Sequence, residues 1–259
     1  MKQKKRKTYR LNSEGQYLYT QTRKLLQACR ADVERELIPL IKRYAPDMVE
    51  GTQDGWIDNI TDVLDRLKDK WLNSTRTFVN IASKFVNIGY SMTEQREKIG
   101  INVFSESQRM QDYLEIATRQ NVALIESIPT QYHQQVENII MGNLRQGQRS
   151  SYIIKELVEQ FGVRERHAKM IARDQSAKIR AELNRQRQLD QGYEYFKWET
   201  SQDERVRDSH EKAGKEDVGF GPGVYRWDDP PMIDGRPLLP GMDYNCRCNA
   251  RPFRYKANS

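Results

Sequence analysis

Two motifs between Trp198 and Cys248 decide how the chain is organised. Residues 198–210 read W-E-T-S-Q-D-E-R-V-R-D-S-H, and residues 240–248 read P-G-M-D-Y-N-C-R-C. Two of the three cysteines of the chain and one of its three histidines lie in these motifs. A Cys-x-Cys pair on an extended chain presents both sulfurs on one face, because strand side chains alternate with a period of two. Such neighbours seldom form a disulfide with each other, but they can share a cation with a histidine from another turn.

This segment resembles the C-terminal motif of the phage Mu F-like minor head proteins, also called phage head morphogenesis proteins. The resemblance rests on D-E-R-V-R-x-x-H and N-C-R-C, together with N-x-x-L-I-x-S-I-P at Asn121 to Pro129 and I-A-R-D-Q at Ile171 to Gln175. It extends from Asn121 to Pro252, roughly half of the chain. It implies a minor head protein that associates with the portal protein and with packaged double-stranded DNA, and that acts in head assembly or genome ejection.

The resemblance also implies a location and further partners. The protein is expected in the capsid interior of the virion, and in the host cytoplasm during assembly. Scaffold protein or major capsid protein are the other expected partners. No apolar run in the sequence approaches the ~20 residues needed to span a bilayer, so no membrane association is expected.

Three side chains of the two motifs are candidate metal ligands, namely His210, Cys246 and Cys248. Zinc binds nitrogen and sulfur ligands of this kind, and a metal can supply folding energy to a loop-rich segment. Asp203, Asp208 or water is the candidate fourth ligand. The alternative is a hydrogen-bonded core with two reduced thiols, and the sequence leaves both interpretations open.

The family pattern differs from this chain at one point of the candidate site. Some members show R-T-C-x-x-C where this chain has Arg205 to His210, so that Arg207 replaces the first cysteine and His210 the second. This difference argues against a closed site with four protein ligands. The residues expected to shape the motif structurally are Trp198, Asp203, Arg205, Arg207 and Asn245.

A metal-dependent nuclease or other hydrolase that uses the His/Cys/Asp cluster is the alternative function. Three protein ligands plus water would leave an open catalytic position, with Asp203, Glu204 or His210 as general base. The sequence contains no nucleophile elbow, no H-E-x-x-H and no P-loop. We therefore predict a protein that is not an enzyme.

The charge of the chain is concentrated at its N-terminus. Residues 1–30 carry nine Lys or Arg and one acidic residue, whereas the remaining residues carry 34 basic and 35 acidic ones. A basic arm of this kind is typical of a flexible contact to DNA phosphates or of a solubilising tail. The candidate DNA-binding residues are Lys2, Lys4, Lys5, Arg6, Lys7 and Arg10.

The predicted fold class is α+β and mainly α, with long helices in the first two-thirds and a small, loop-rich β module at the C-terminus. The predicted domains are a flexible basic arm at residues 1–15, a helical domain at 16–191 and a β module at 192–259. Alternating side chains after Gly192 predict a strand through Trp198, and a final strand is expected at about Asn245 to Phe253.

Proline, glycine and capping residues predict where the helices begin and end. Pro46 should end the first long helix, Ser127 and Pro129 should begin another, and Gly162 should end the helix that starts at Ser150 or Ser151. A separate, heavily charged helix is expected from about Arg164 to Asp190, with Arg173 and Asp174 as candidate anchors to the β module. Cys29 lies on an apolar stripe and is expected in the core, whereas His133 is expected to face solvent.

Overall fold

The structure, a computed structural model, describes residues 11–44, 56–96 and 107–255. The helices in chain order are α1 (Ser13–Asp32), a π-helical turn (Val33–Leu37), α2 (Ile38–Tyr44), α3 (Trp56–Leu72), α4 (Thr75–Arg96), α5 (Gln108–Arg145), α6 (Ser150–Asp190) and α7 (Asp208–Ala213). The strands are β1 (Tyr195–Glu199), β2 (Val224–Arg226), β3 (Met232–Ile233), β4 (Arg236–Pro237) and β5 (Asn249–Phe253). This architecture confirms the predicted mainly α, α+β fold class.

The chain divides into two compact units. One combines Tyr17–Lys84 with Thr118–Ile171, and the other combines Met1–Gln16, Phe85–Ala117 and Ala172–Ser259. The predicted division at residues 191 and 192 stays a prediction. Of the helices that the structure describes, none combines the length and the apolar character needed to cross a membrane.

The first unit, Tyr17–Lys84 with Thr118–Ile171, is built on helices that share one apolar core. Leu26, Leu37, Ile41, Ile60 and Val136 are fully buried in this core. Apolar residues at intervals of three and four form the stripe that each helix presents to it. Cys29 is 4% exposed and belongs to the same core, as predicted.

Two buried polar side chains of this unit, those of Asp32 and His133, have close polar partners. Asp32 is 6% exposed, and its carboxylate accepts hydrogen bonds from Lys70 Nζ at 2.8 Å and Trp71 Nε1 at 3.0 Å. His133 is 4% exposed, with Nε2 at 2.8 Å from the carbonyl oxygen of Leu64, so the prediction that it faces solvent is wrong. Its glutamine neighbours in the sequence gave no sign of this tertiary contact.

Two predicted helix boundaries are also wrong. Pro129 lies inside α5, and Gly162 lies inside α6. The buried residues Ile125, Ile128 and Tyr132 continue the helical spacing across the proline. Packing of a continuous apolar face therefore outweighs the local cost of a helix breaker at both positions. The predicted stop at Pro46 lies outside the described residues.

The second unit contains the β module. Strand β1 lies between β2 and β5, and it is antiparallel to both. Phe196 faces Tyr225 on one side and Pro252 on the other, which fixes the register. Phe196 and Trp198 are buried and alternate with partly exposed residues, so the strand predicted before Trp198 is confirmed. A small hairpin of β3 and β4 completes the module.

Side-chain amides of the C-terminal part of α6 donate hydrogen bonds to β5. Asn184 Nδ2 donates to the carbonyl oxygen of Ala250 at 2.7 Å, and Gln188 Nε2 donates to the same oxygen at 2.9 Å. Arg180 forms a salt bridge with Glu14, whose side chain is fully buried. The hydrogen bonds from Asn184 and Gln188 hold β5 against the C-terminal part of α6 and so help to position the segment that follows Asn245.

Candidate functional site

The two motifs meet at His210 and the cysteines. His210 lies on the short helix α7, and Cys246 and Cys248 lie in the segment that leads into β5. The final strand begins at Asn249, so the prediction of a strand from Asn245 is wrong for its first four residues. Asn245 adopts a left-handed conformation with φ of 53°, and the N–H of Cys248 is directed at Cys246 Sγ at 3.4 Å rather than at a neighbouring strand.

One imidazole nitrogen faces both sulfurs. His210 Nδ1 lies 3.5 Å from Cys246 Sγ and 3.6 Å from Cys248 Sγ. The three ligand atoms lie within 4.8 Å of one another. His210 is 2% exposed, Cys246 3% and Cys248 8%, so the grouping is removed from solvent. The structure thus brings together the three side chains that the sequence singled out.

The pKa values of the Cys246 and Cys248 thiols are shifted in opposite directions. A hydrogen bond from Cys248 lowers the pKa of the Cys246 thiol to about 5 against the opposing effect of burial, and the backbone N–H groups of Cys248 and Gly241 add to the lowering. The same hydrogen bond, together with burial, raises the pKa of Cys248 above its usual range. The two thiols are therefore coupled, and Cys246 loses its proton more readily than Cys248.

Asp243 faces the other ring nitrogen of His210, and sequence reasoning did not single it out. Its Oδ2 lies 3.3 Å from Nε2, although without good hydrogen-bond geometry. The same carboxylate forms salt bridges with Arg207 at 3.0 Å and Arg236 at 2.5 Å. Partial burial acts to raise the pKa of Asp243, but the N–H of Tyr244 and the charges of Arg207 and Arg236 outweigh it and lower the pKa. Its position in the second motif is the sequence feature that could have identified Asp243 as a candidate site residue.

Asp203 has a different role from the one predicted for a fourth ligand. Its carboxylate forms a two-point salt bridge with Arg247 and also accepts the backbone N–H of Arg205 at 3.0 Å. It is not among the described residues that group with His210. Asp203 thus joins the first motif to the second by linking the turn after β1 to the residue between the two cysteines.

The remaining motif residues frame the same place. The Trp198 ring is 1% exposed and lies edge-on to the His210 ring, with 5.6 Å between centroids. Arg207 also donates from its second terminal nitrogen to the carbonyl oxygen of Tyr244 at 2.7 Å. Asn245 donates its backbone N–H to Asp174 of α6 at 2.8 Å, which confirms that Asp174 anchors the helix to the module.

A cavity of about 260 Å³ borders the grouping. Its walls are formed by Arg173, Ser201, Arg205, Val206, Arg207, His210, Asn245, Cys246, Arg247 and Cys248. Four of these ten lining residues are arginines, so the wall is cationic. The six basic residues predicted to bind DNA, Lys2 to Arg10, lie outside the described residues.

Comparison with known proteins supports the resemblance. Residues 134–251 match the family model described as Phage Mu protein F like protein. An uncharacterized protein of Haemophilus influenzae is 29% identical over 238 residues, which cover 88% of this chain and 50% of the relative. The chain thus spans about half the length of that relative. No solved structure matches the chain significantly.

The family match includes α7, the cavity and both cysteines, and it also takes in α6 and most of β5. Of the segments that carry the resemblance in the sequence, D-E-R-V-R-x-x-H and N-C-R-C are the two whose residues form the grouping of His210 with both cysteines. Through residues 134–251, the chain is accordingly similar to the Phage Mu protein F like family.

Proposed function

We propose that the protein is a minor head protein of a tailed phage that associates with the portal and with packaged DNA and acts in head assembly or genome ejection. The match of residues 134–251 to the Phage Mu protein F like family carries this proposal. The same match supports a structural role in the virion rather than a catalytic one. Scaffold protein and major capsid protein are further candidate partners within the capsid.

The proposed portal contact is assigned to the helices rather than to the β module. Large apolar side chains lie exposed on the helices, among them Ile116 at 54% and Tyr152 at 52%. Exposed apolar side chains contribute to protein contacts where they form a patch that is surrounded by polar residues. The β module also exposes large apolar side chains, namely Val218, Met232, Tyr244 and Tyr255, and Met232, the most exposed at 67%, provides a matched control.

Co-expression of the intact chain with the portal protein of the same phage genome tests this assignment. We expect a complex whose mass exceeds that of the portal ring alone. Upon binding, hydrogen exchange should slow more in the helices than in residues 192–259. Tyr152→Asp should weaken the complex, and Met232→Asp should not. A complex weakened only by Met232→Asp would assign the contact to the β module, and no complex at all would remove the portal from the proposal.

The proposed DNA contact is assigned to the basic arm. Its six cations would neutralise about six phosphates, so the logarithm of the affinity should fall with the logarithm of salt concentration with a slope of about −5. Replacement of Lys2, Lys4, Lys5, Arg6, Lys7 and Arg10 by glutamine preserves chain length and should remove most of this slope. An unchanged slope in that variant would transfer DNA binding to another surface, with the basic face of α6 as the next to test.

A further inference from the structure

The position of two sulfurs around one imidazole nitrogen demands a physical account. An imidazole nitrogen makes one hydrogen bond well, through its proton if it carries one or through its lone pair if it does not. Here Cys246 Sγ and Cys248 Sγ lie at almost equal distances from His210 Nδ1, 3.5 and 3.6 Å. A cation located between the three atoms satisfies the lone pair and both sulfurs together.

The distances agree with the size of a zinc ion. Zn–S bonds of about 2.3 Å and a Zn–N bond of about 2.1 Å, at the tetrahedral angle, hold nitrogen and sulfur about 3.6 Å apart. The observed separations of 3.5 and 3.6 Å match this edge of the tetrahedron. We propose that His210 Nδ1, Cys246 Sγ and Cys248 Sγ bind one zinc ion as three of its four ligands. This inference does not depend on the proposed role in the head.

Asp243 acts in this site as a positioning residue. Its carboxylate faces Nε2 of His210, on the side of the ring away from the sulfurs. A carboxylate there favours the tautomer with the proton on Nε2, which leaves the Nδ1 lone pair for the metal. Arg207 and Arg236 hold the carboxylate in place at 3.0 and 2.5 Å. The fourth ligand is therefore neither Asp243 nor Asp203, since Asp203 is engaged with Arg247.

The fourth ligand of the proposed zinc reaches it from the cavity, which both cysteines and His210 line. Hydrolytic zinc sites combine a metal-bound water with a nearby general base, such as a histidine or a carboxylate. The described residues that line this cavity include no Asp or Glu. Whatever occupies the fourth position, the three protein ligands would make the zinc a cross-link between α7 and the segment before β5, residues that lie 36 positions apart in the chain.

Metal analysis of the intact protein, prepared without a metal-binding tag, tests the site. We expect about one zinc ion per chain. Replacement by Co²⁺ should give the tetrahedral visible bands and a near-ultraviolet sulfur-to-cobalt band of two thiolates. Cys246→Ser or Cys248→Ser should each reduce that band to about half, whereas Cys29→Ser, which changes the cysteine in the helical core, should leave it unchanged.

The wild-type spectrum decides the proposal even where a cysteine variant does not fold. A two-thiolate band supports it, and folded protein that binds neither zinc nor cobalt overturns it. A band that is lost with Cys29→Ser overturns it as well. For the positioning role, Asp243→Asn should weaken zinc affinity about 10–100-fold without loss of stoichiometry at saturating zinc. Asp228→Asn, which removes an exposed carboxylate paired with Arg226, is the matched control, and equal affinities of the two variants would refute the role of Asp243.

Discussion

Gly223 offers a direct test of how tightly the β module is packed. It precedes β2 and has a φ of 71°, a backbone conformation that residues with a Cβ rarely adopt. A Cβ built on Gly223 would lie 2.6 Å from the carbonyl oxygen of Gly214 and 3.0 Å from its carbonyl carbon. These atoms belong to the backbone, so no side-chain rotation can relieve the contact. Both backbone groups of Gly223 are also engaged, with Glu216 O and Trp198 N at 2.7 Å each.

The expected cost of Gly223→Ala combines two effects. The left-handed conformation costs about 1–2 kcal/mol for a residue with a Cβ. Overpacking adds about 1–3 kcal/mol. We therefore expect Gly223→Ala to lower the free energy of unfolding by about 2–5 kcal/mol. Gly235 has a φ of 78° and nothing within 4 Å of its hypothetical Cβ, so Gly235→Ala should carry only the conformational cost.

Urea unfolding followed by tryptophan fluorescence measures the difference, since Trp198 and Trp227 are both buried in the β module. The comparison of the two alanine variants isolates the steric effect, because both share a positive φ. Equal unfolding free energies for Gly223→Ala and Gly235→Ala, within about 0.5 kcal/mol, would show that the module opens at Gly214 and would refute the argument.

Three further predictions concern charge and helix propensity. Burial alone raises the pKa of Asp32, but hydrogen bonds, first among them the one from Lys70, outweigh burial and lower the pKa. The contribution of Asp32 to stability is therefore present above pH ~4 and is lost as pH falls through the pKa of the folded state. When the free energy of unfolding is measured as the pH is lowered, Asp32→Asn should lose less of it than the wild type. Glu14→Gln should destabilise the protein by about 1–3 kcal/mol in urea unfolding, because Arg180 loses its buried carboxylate partner. Gly142→Ala should raise the melting temperature, with a gain of about 0.5–1 kcal/mol, since Gly142 is helical and its hypothetical Cβ meets nothing within 4 Å.

The fold class and the principal strand were predictable because they depend on patterns close in sequence. Phe196 and Trp198 alternate with polar neighbours, and the helices carry apolar stripes with a period of about 3.6 residues. Pro129 and Gly162 misled the prediction because each signals a local preference, which a buried stripe on both sides outweighs. His133 misled it because its partner is a carbonyl oxygen 69 residues away.

The candidate site was predictable in part for the same reason. His210, Cys246 and Cys248 have side chains whose chemistry is recognisable from their identity alone. Asp203 and Asp243 are both carboxylates in the motifs, and nothing in the sequence distinguishes the one that faces His210 from the one that pairs with Arg247. That assignment depends on the turn at Asn245, whose positive φ is set by tertiary contacts such as the bond to Asp174.

The order of strands in the module bears on self-association. Strands β2 and β5 are the two edges of the three-stranded sheet, and exposed edges invite strand addition by another copy. Strand β2 has only three residues, and β5 contains Pro252, which interrupts its row of backbone donors. Both edges are thus poor templates for a further strand. Copies of this chain held at high local concentration should therefore resist polymerisation through their β modules.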